Sequence, residues 1–265
     1  LATEDEPADV VFSGGRAYVS CSQANSVLVF DLDDLAAAPR RIAIDGEDPR
    51  ALAVGPHGEV YVAIFESGNG TTVLGGGIGP AMVTLAFPPN VVDHPGGPWA
   101  GVNPPPNAGA SFAPPINPAL PSPPGVSLIV RKSAEGTWLD DNGGDWTELV
   151  SGTQASLSGR PQGWDVADHD IAIIDARFDR IRYVRGLMNA CMALAVHPVS
   201  GALTLVGTDG RNEVRFEPNH TGVFGRVLLA RIDPDSHDEP AVVDLNPHLD
   251  YTLSTLPQKE RDRSL

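Results

Sequence analysis

The chain lacks most features that would tie it to one chemistry. It has two cysteines in 265 residues, Cys21 and Cys191, and neither sits in a C-x-x-C or C-x-x-C-H spacing. This segment therefore cannot attach a c-type haem by itself. Strand-forming residues flank both cysteines, which suits thiols packed as small hydrophobes, although one disulfide stays open. No apolar run reaches the roughly 20 residues of a spanning helix, so membrane insertion is not expected. No charged-then-apolar leader opens the chain, and it begins at Leu1, which fits a mature form or an excised piece. Basic residues are scarce, 18 Lys and Arg against 34 Asp and Glu, for a formal charge of -16. That charge repels phosphate backbones and anionic lipid, so nucleic acid is not an expected partner. There is no G-x-S-x-G elbow, no Ser, His and acid that can be grouped into a triad, and no His pair at i, i+4. "GNGTTVLGGGIGP" is Gly-rich but lacks the G-x-G-x-x-G spacing and a following helix. No catalytic residue is nominated.

What is present is punctuation and alternation. The 28 glycines and 25 prolines separate short runs of alternating apolar and polar residues, and the hydrophobic content of 42% is enough for a sizeable core. Both point to an all-β chain. The stretch "GGRAYVSCSQANSVLVFD", residues 14 to 31, is one copy of a repeat. With Gly14 placed on Gly201, Tyr18 falls on Leu205, Val19 on Val206, Asn25 on Asn212, Val27 on Val214 and Val29 on Phe216. "PRALAVGPHGEVYVAIFESGNG", residues 49 to 70, is a partial third copy, with Tyr61 and Val62 in the places of Tyr18 and Val19. The first copy reads as four short strands, at Ala8–Phe12, Arg16–Cys21, Ser26–Leu32 and Arg40–Ile44, before the next copy starts at Pro49. Four strands recurring about every 40 residues describe a propeller blade, which buries its faces against its neighbours.

The expected fold is an all-β propeller of four-stranded blades, single and partial over residues 1–265, with about four blades. Blade one covers residues 6 to 44. Blade two begins at 49, breaks off after Ser67 and is expected to resume at "VSLIVRK", residues 126 to 132, with "DWTELV" as an outer strand. "HDIAIIDARFDRIRYVRG", residues 169 to 186, reads as a third and fourth strand, with Asp175 standing where Asp31 stands, and residues 191 to 245 form the clearest later blade. Residues 75–125 form a Pro/Gly-rich insertion within the second blade and hold more than half of the prolines.

"AYVSCSQANSVLVFDL" and "EVYVAIFESGNGTTVLGGG" resemble the YVTN-repeat propellers of bacterial envelope proteins. Tyr18, Val19, Asn25, Val27, Val29 and Asp31 match that signature, while Ser20 and Cys21 replace its Thr-Asn. "NPPPNAG", "VSLIVRKSAEGTWLDDNGGDW", "GRPQGWDVADHDIAIID" and "GTDGRNEVRFEPN" resemble large bacterial propeller proteins, some of which carry c-type cytochrome segments elsewhere. The resemblance implies an exported protein of the periplasm or cell envelope, while about four blades, few for a closed propeller of this repeat type, and the polar ending "PQKERDRSL" point to part of a longer chain. Any haem c would belong to other segments of that chain.

Three segments could carry function. The insertion is either a flexible segment or a lid over one propeller face, anchored by Phe87, Trp99 and Phe112. The turn "WLDDNGGDWTEL" gathers Asp140, Asp141, Asn142 and Asp145, hard oxygen ligands that suit Ca²⁺. It fails the EF-hand pattern, partly matches an Asp-box hairpin at Asp141, Gly143 and Trp146, and reads most simply as an ordinary solvated β-turn. "DVADHD", residues 165 to 170, reads as a turn leading into a strand or, with a bent backbone, as a metal site. The sequence thus predicts a non-catalytic scaffold that binds a protein or small molecule at a propeller face and holds no cofactor of its own. The competing readings are the scaffold of a cytochrome c redox protein and a metal-dependent propeller hydrolase or lactonase.

Overall fold

The computed structural model describes residues 1–74, 128–140, 145–175, 180–211, 225–234, 236, 240–251 and 257–265. The chain is all-β, built of antiparallel sheets arranged like propeller blades. Blade one is a meander of β1 (Pro7–Ser13), β2 (Arg16–Cys21), β3 (Ser26–Asp31) and β4 (Arg40–Ala43). Then come β5 (Glu47–Val54) and β6 (Val60–Glu66), a separate sheet of β7 (Thr71–Leu74), β8 (Leu128–Lys132) and β9 (Trp138–Asp140), and the pair β10 (Ile171–Asp175) and β11 (Arg180–Val184). Blade two has the order β11-β10-β6-β5. Blade three runs β12 (Ala190–Val196), β13 (Leu203–Gly210), β14 (Gly225–Ile232) and β15 (Ala241–Asp244) in sequence order.

Two compact units emerge. The first comprises Leu1–Asn69, Ala167–Asp209 and Val227–Leu245. In it, alternation along β6 sends Val60, Val62 and Ile64 to one face, where they pack with Tyr18, Val27, Val29 and Ile42 of blade one. Tyr61 and Ala63 go to the other face and pack with Leu203, Leu205, Leu228 and Ala230 of blade three. Blade two is thus covered on both sides, which is why β6 and β10 are apolar at nearly every position.

The second unit comprises Gly70–Val166, Gly210–Arg226 and Asn246–Leu265. Its sheet buries Trp138, Trp146 and Val150 with Leu74 and Val130. Arg160 lies over the Trp164 ring at 4.7 Å and donates to Thr72 Oγ1 at 2.7 Å. Two four-residue helices, α1 (Thr147–Val150) and α2 (Gln258–Arg261), also belong to it.

Two strand assignments differ from those read in the sequence. Residues 128–132 pair with β7 and β9 and do not resume blade two. That blade is completed by β10, with Ile171 opposite Ala63 and Ile173 opposite Tyr61, and by β11. An interior strand between two covered faces needs apolar residues on both sides. "IAIID" supplies four in succession before its terminal Asp175, whereas "LIVRK" supplies three and ends in two charges. "DWTELV" is no outer strand either: Thr147–Val150 form α1, and Asp145 accepts from the Thr147 N–H at 2.9 Å just before it. The insertion 75–125 lies outside the described residues.

Candidate functional site

The first strand of each blade carries an irregularity at the same place. The register shifts between Pro7 and Asp9 in β1, between Pro49 and Leu52 in β5, and between Cys191 and Ala193 in β12. An extra residue in one strand bends it and re-aims its side chains. These three bulges line one cleft of about 570 Å³, walled by Glu6, Asp9, Ser22, Arg50, Ala51 and Met192. The bulges themselves present Ala8, Arg50 with Ala51, and Met192, and the acids Glu6 and Asp9 flank the first of them.

Each polar wall residue is held in place. Asp9 accepts from the Val10 and Leu52 N–H groups, both at 2.8 Å. Ser22 Oγ donates to Glu6 at 3.1 Å. Arg50 binds Asp48 through Nε at 2.9 Å and Nη2 at 2.6 Å, and its guanidinium lies 4.1 Å from the centre of the Phe65 ring. The hydrogen bond to Asp48, with the charges of Asp48, Glu6 and Glu66, raises the Arg50 pKa. Glu6 (φ 48°) and Asp48 (φ 61°) both occupy the left-handed region directly before a proline. That conformation is costly for a residue with a Cβ and persists only where its surroundings enforce it.

At the other end of the same strands lies a second cleft of about 480 Å³, between the turns Val54–His57 and Val196–Gly201. It brings together the two turns that the repeat made equivalent. His197 Nδ1 accepts from Ser200 N–H at 3.1 Å, so that imidazole is tied to its own turn.

The residues nominated from sequence lie elsewhere. Asp140 is buried and accepts from Trp146 Nε1 at 2.8 Å, while Asp145 accepts from the Thr147 N–H at 2.9 Å ahead of α1. Asp141 and Asn142, and the lid residues Phe87, Trp99 and Phe112, lie outside the described residues. "DVADHD" leads into β10. Asp168 accepts from Gly186 N–H at 3.1 Å, while the buried His169 stacks on Tyr183 and contacts Asp45 and Arg185. Cys21 and Cys191 are both buried free thiols. Among the described residues no three His, Cys, Asp or Glu side chains are placed to hold a metal ion. Sequence reading missed Glu6, Asp9, Arg50 and Met192. The available signal was the acid-proline pair repeated as Glu6-Pro7 and Asp48-Pro49.

No family model and no curated protein matches the chain. Among solved structures, it is similar to Kuenenia stuttgartiensis hydrazine synthase at 12% identity and TM-score 0.26, covering 92% of this chain and 68% of that one. A streptogramin B lyase gives 14% identity and TM-score 0.22, covering 92% and 70%. Virginiamycin B lyase from Staphylococcus aureus gives 11% and 0.22, covering 92% and 85%. Scores this low carry no argument about activity; the fold rests on the strand pairing.

Proposed function

We propose that this chain is a non-catalytic β-propeller platform that binds a protein or small-molecule partner at the cleft formed by its first strands. The observation that carries this reading is the three-fold bulge, which aims unlike side chains into one opening. A repeat kept only for packing has no use for an exposed Arg50 and a half-exposed Met192 at that position. Glu6, Asp9 and Arg50 are each fixed by a neighbour, which suits recognition better than proton transfer. The envelope location and the YVTN repeat type are supported by the sequence resemblance alone.

A photoreactive residue tests the site in cells. With Met192→p-benzoylphenylalanine, cross-linking to one defined species is expected, and Arg50→Glu should abolish it. The same group at Val199, 89% exposed beside the opposite cleft, is the control. Equal labelling from both positions would sink the reading.

A further inference from the structure

Asp170, the residue before β10, is fully buried. Its carboxylate reaches the linker between blades two and three, accepting from Leu187 N–H at 2.9 Å and Met188 N–H at 3.3 Å. The Cys191 thiol of β12 lies 3.5 Å from the same carboxylate and from Ser67 Oγ. Ser67 donates in turn to the Met188 carbonyl at 2.5 Å. One buried node therefore joins the end of β6, the start of β10, the linker and the first strand of blade three. Met192, the cleft residue, follows Cys191 directly. Little slack lies beneath the bulge: a Cβ on Gly207, opposite Cys191, would fall on the Ala190 carbonyl oxygen and 2.6 Å from Met188 Sδ.

We propose that Asp170 is a proton-controlled clasp between blades two and three, whose charge state sets the position of the cleft wall that carries Met192. Its consequence at Met192 rests on the binding reading above; the clasp itself stands on the buried geometry. The titratable groups facing Asp170 are Asp168, from its own segment, and the Cys191 thiol, from β12. Arg185 on the linker side is engaged with His169 instead, at 2.9 Å. From the residue after β6 the facing group is Ser67, which does not titrate; its neighbour Glu66 is exposed and acts on Arg50.

Burial, opposed by the linker N–H bonds and reinforced by the Asp168 charge, raises the Asp170 pKa from 3.8 to about 6. The folded chain therefore holds this proton more tightly than the unfolded chain. The stability contributed by the neutral form is fully present below 3.8 and is lost as the pH rises through about 6. Above that value the node carries a buried charge, and the linker is weakest there.

The test follows amide exchange at Leu187 and Met188 together with the Met192 methyl carbon signal, from acid to neutral pH, in the wild type and Asp170→Asn. After correction for intrinsic chemistry, wild-type exchange should rise by up to about a hundredfold. The Met192 signal should shift with the same midpoint, and Asp170→Asn, a neutral isostere, should show neither change. The same pH response in Asp170→Asn would overturn the clasp. Amides that respond while the Met192 signal stays still would overturn the coupling to the cleft. Should the variant not fold, the carboxyl carbon of Asp170 in the wild type decides: a midpoint at the ordinary carboxylate value removes the clasp. Failure of the binding reading appears separately, as lost site selectivity of the Met192 cross-link.

Discussion

At the scale of the residue, the decisive positions do their work through backbone geometry as much as chemistry. Gly207 is required because its neighbours leave no room for a methyl group. Gly207→Ala is expected to cost about 3 kcal/mol, because a backbone carbonyl cannot rotate away as a side chain can. Urea denaturation would check it; a loss within experimental error would show that the bulge has slack. Asn69 lies in a glycosylation sequon, yet it is buried and donates to Asp209 Oδ1 at 3.0 Å. It is a structural amide, unsuited to carrying a glycan in the folded chain.

At the scale of the element, the repeat is stitched through its second turn. Asn25, between β2 and β3, has φ 47°. Its side chain accepts from Asp48 N–H at 2.9 Å and donates to Glu47 at 3.0 Å, while its carbonyl accepts from Ile44 N–H at 2.9 Å. Asn69, between β6 and the next strand in the chain, repeats the conformation at φ 46°. One asparagine thus satisfies a left-handed turn and ties blade one to the first strand of blade two. Asn25→Ala should destabilise by about 1 to 2 kcal/mol, combining two lost hydrogen bonds with a conformation that alanine avoids. Asn25→Gly should recover the backbone part only. Thermal unfolding of both variants separates the two terms, and equal losses would discount the backbone contribution.

At the scale of the whole molecule, the formal charge of -16 favours dispersal, while apolar side chains on blades one and three favour association. Phe12 is 64% exposed on blade one, and Val243 is 53% exposed on blade three. On blade two the corresponding alternation is covered on both faces. The isolated chain is therefore expected to self-associate with increasing concentration, more so at high salt, where charge repulsion is screened. Phe12→Lys and Val243→Lys should each reduce the apparent mass in light scattering. A monomer at every concentration and salt would show that these faces need no cover.

The sequence by itself determined the all-β class, the four-stranded unit and the equivalence of blades one and three, because strand alternation and turn residues are local properties. It also showed Asp175 in the place of Asp31, and the structure puts both at the ends of third strands. What it could not determine was which distant run completes blade two. "LIVRK" and "IAIID" are both acceptable strands, and only the burial of both blade faces selects the second. The candidate cleft was hidden for the same reason. Asp9, Arg50 and Met192 are unremarkable in their local sequence, and a bulge is defined by the partner strand it slips against. Their convergence exists only once three first strands lie side by side, and the raised pKa of Asp170 likewise arises only when the chain folds a carboxylate away from water.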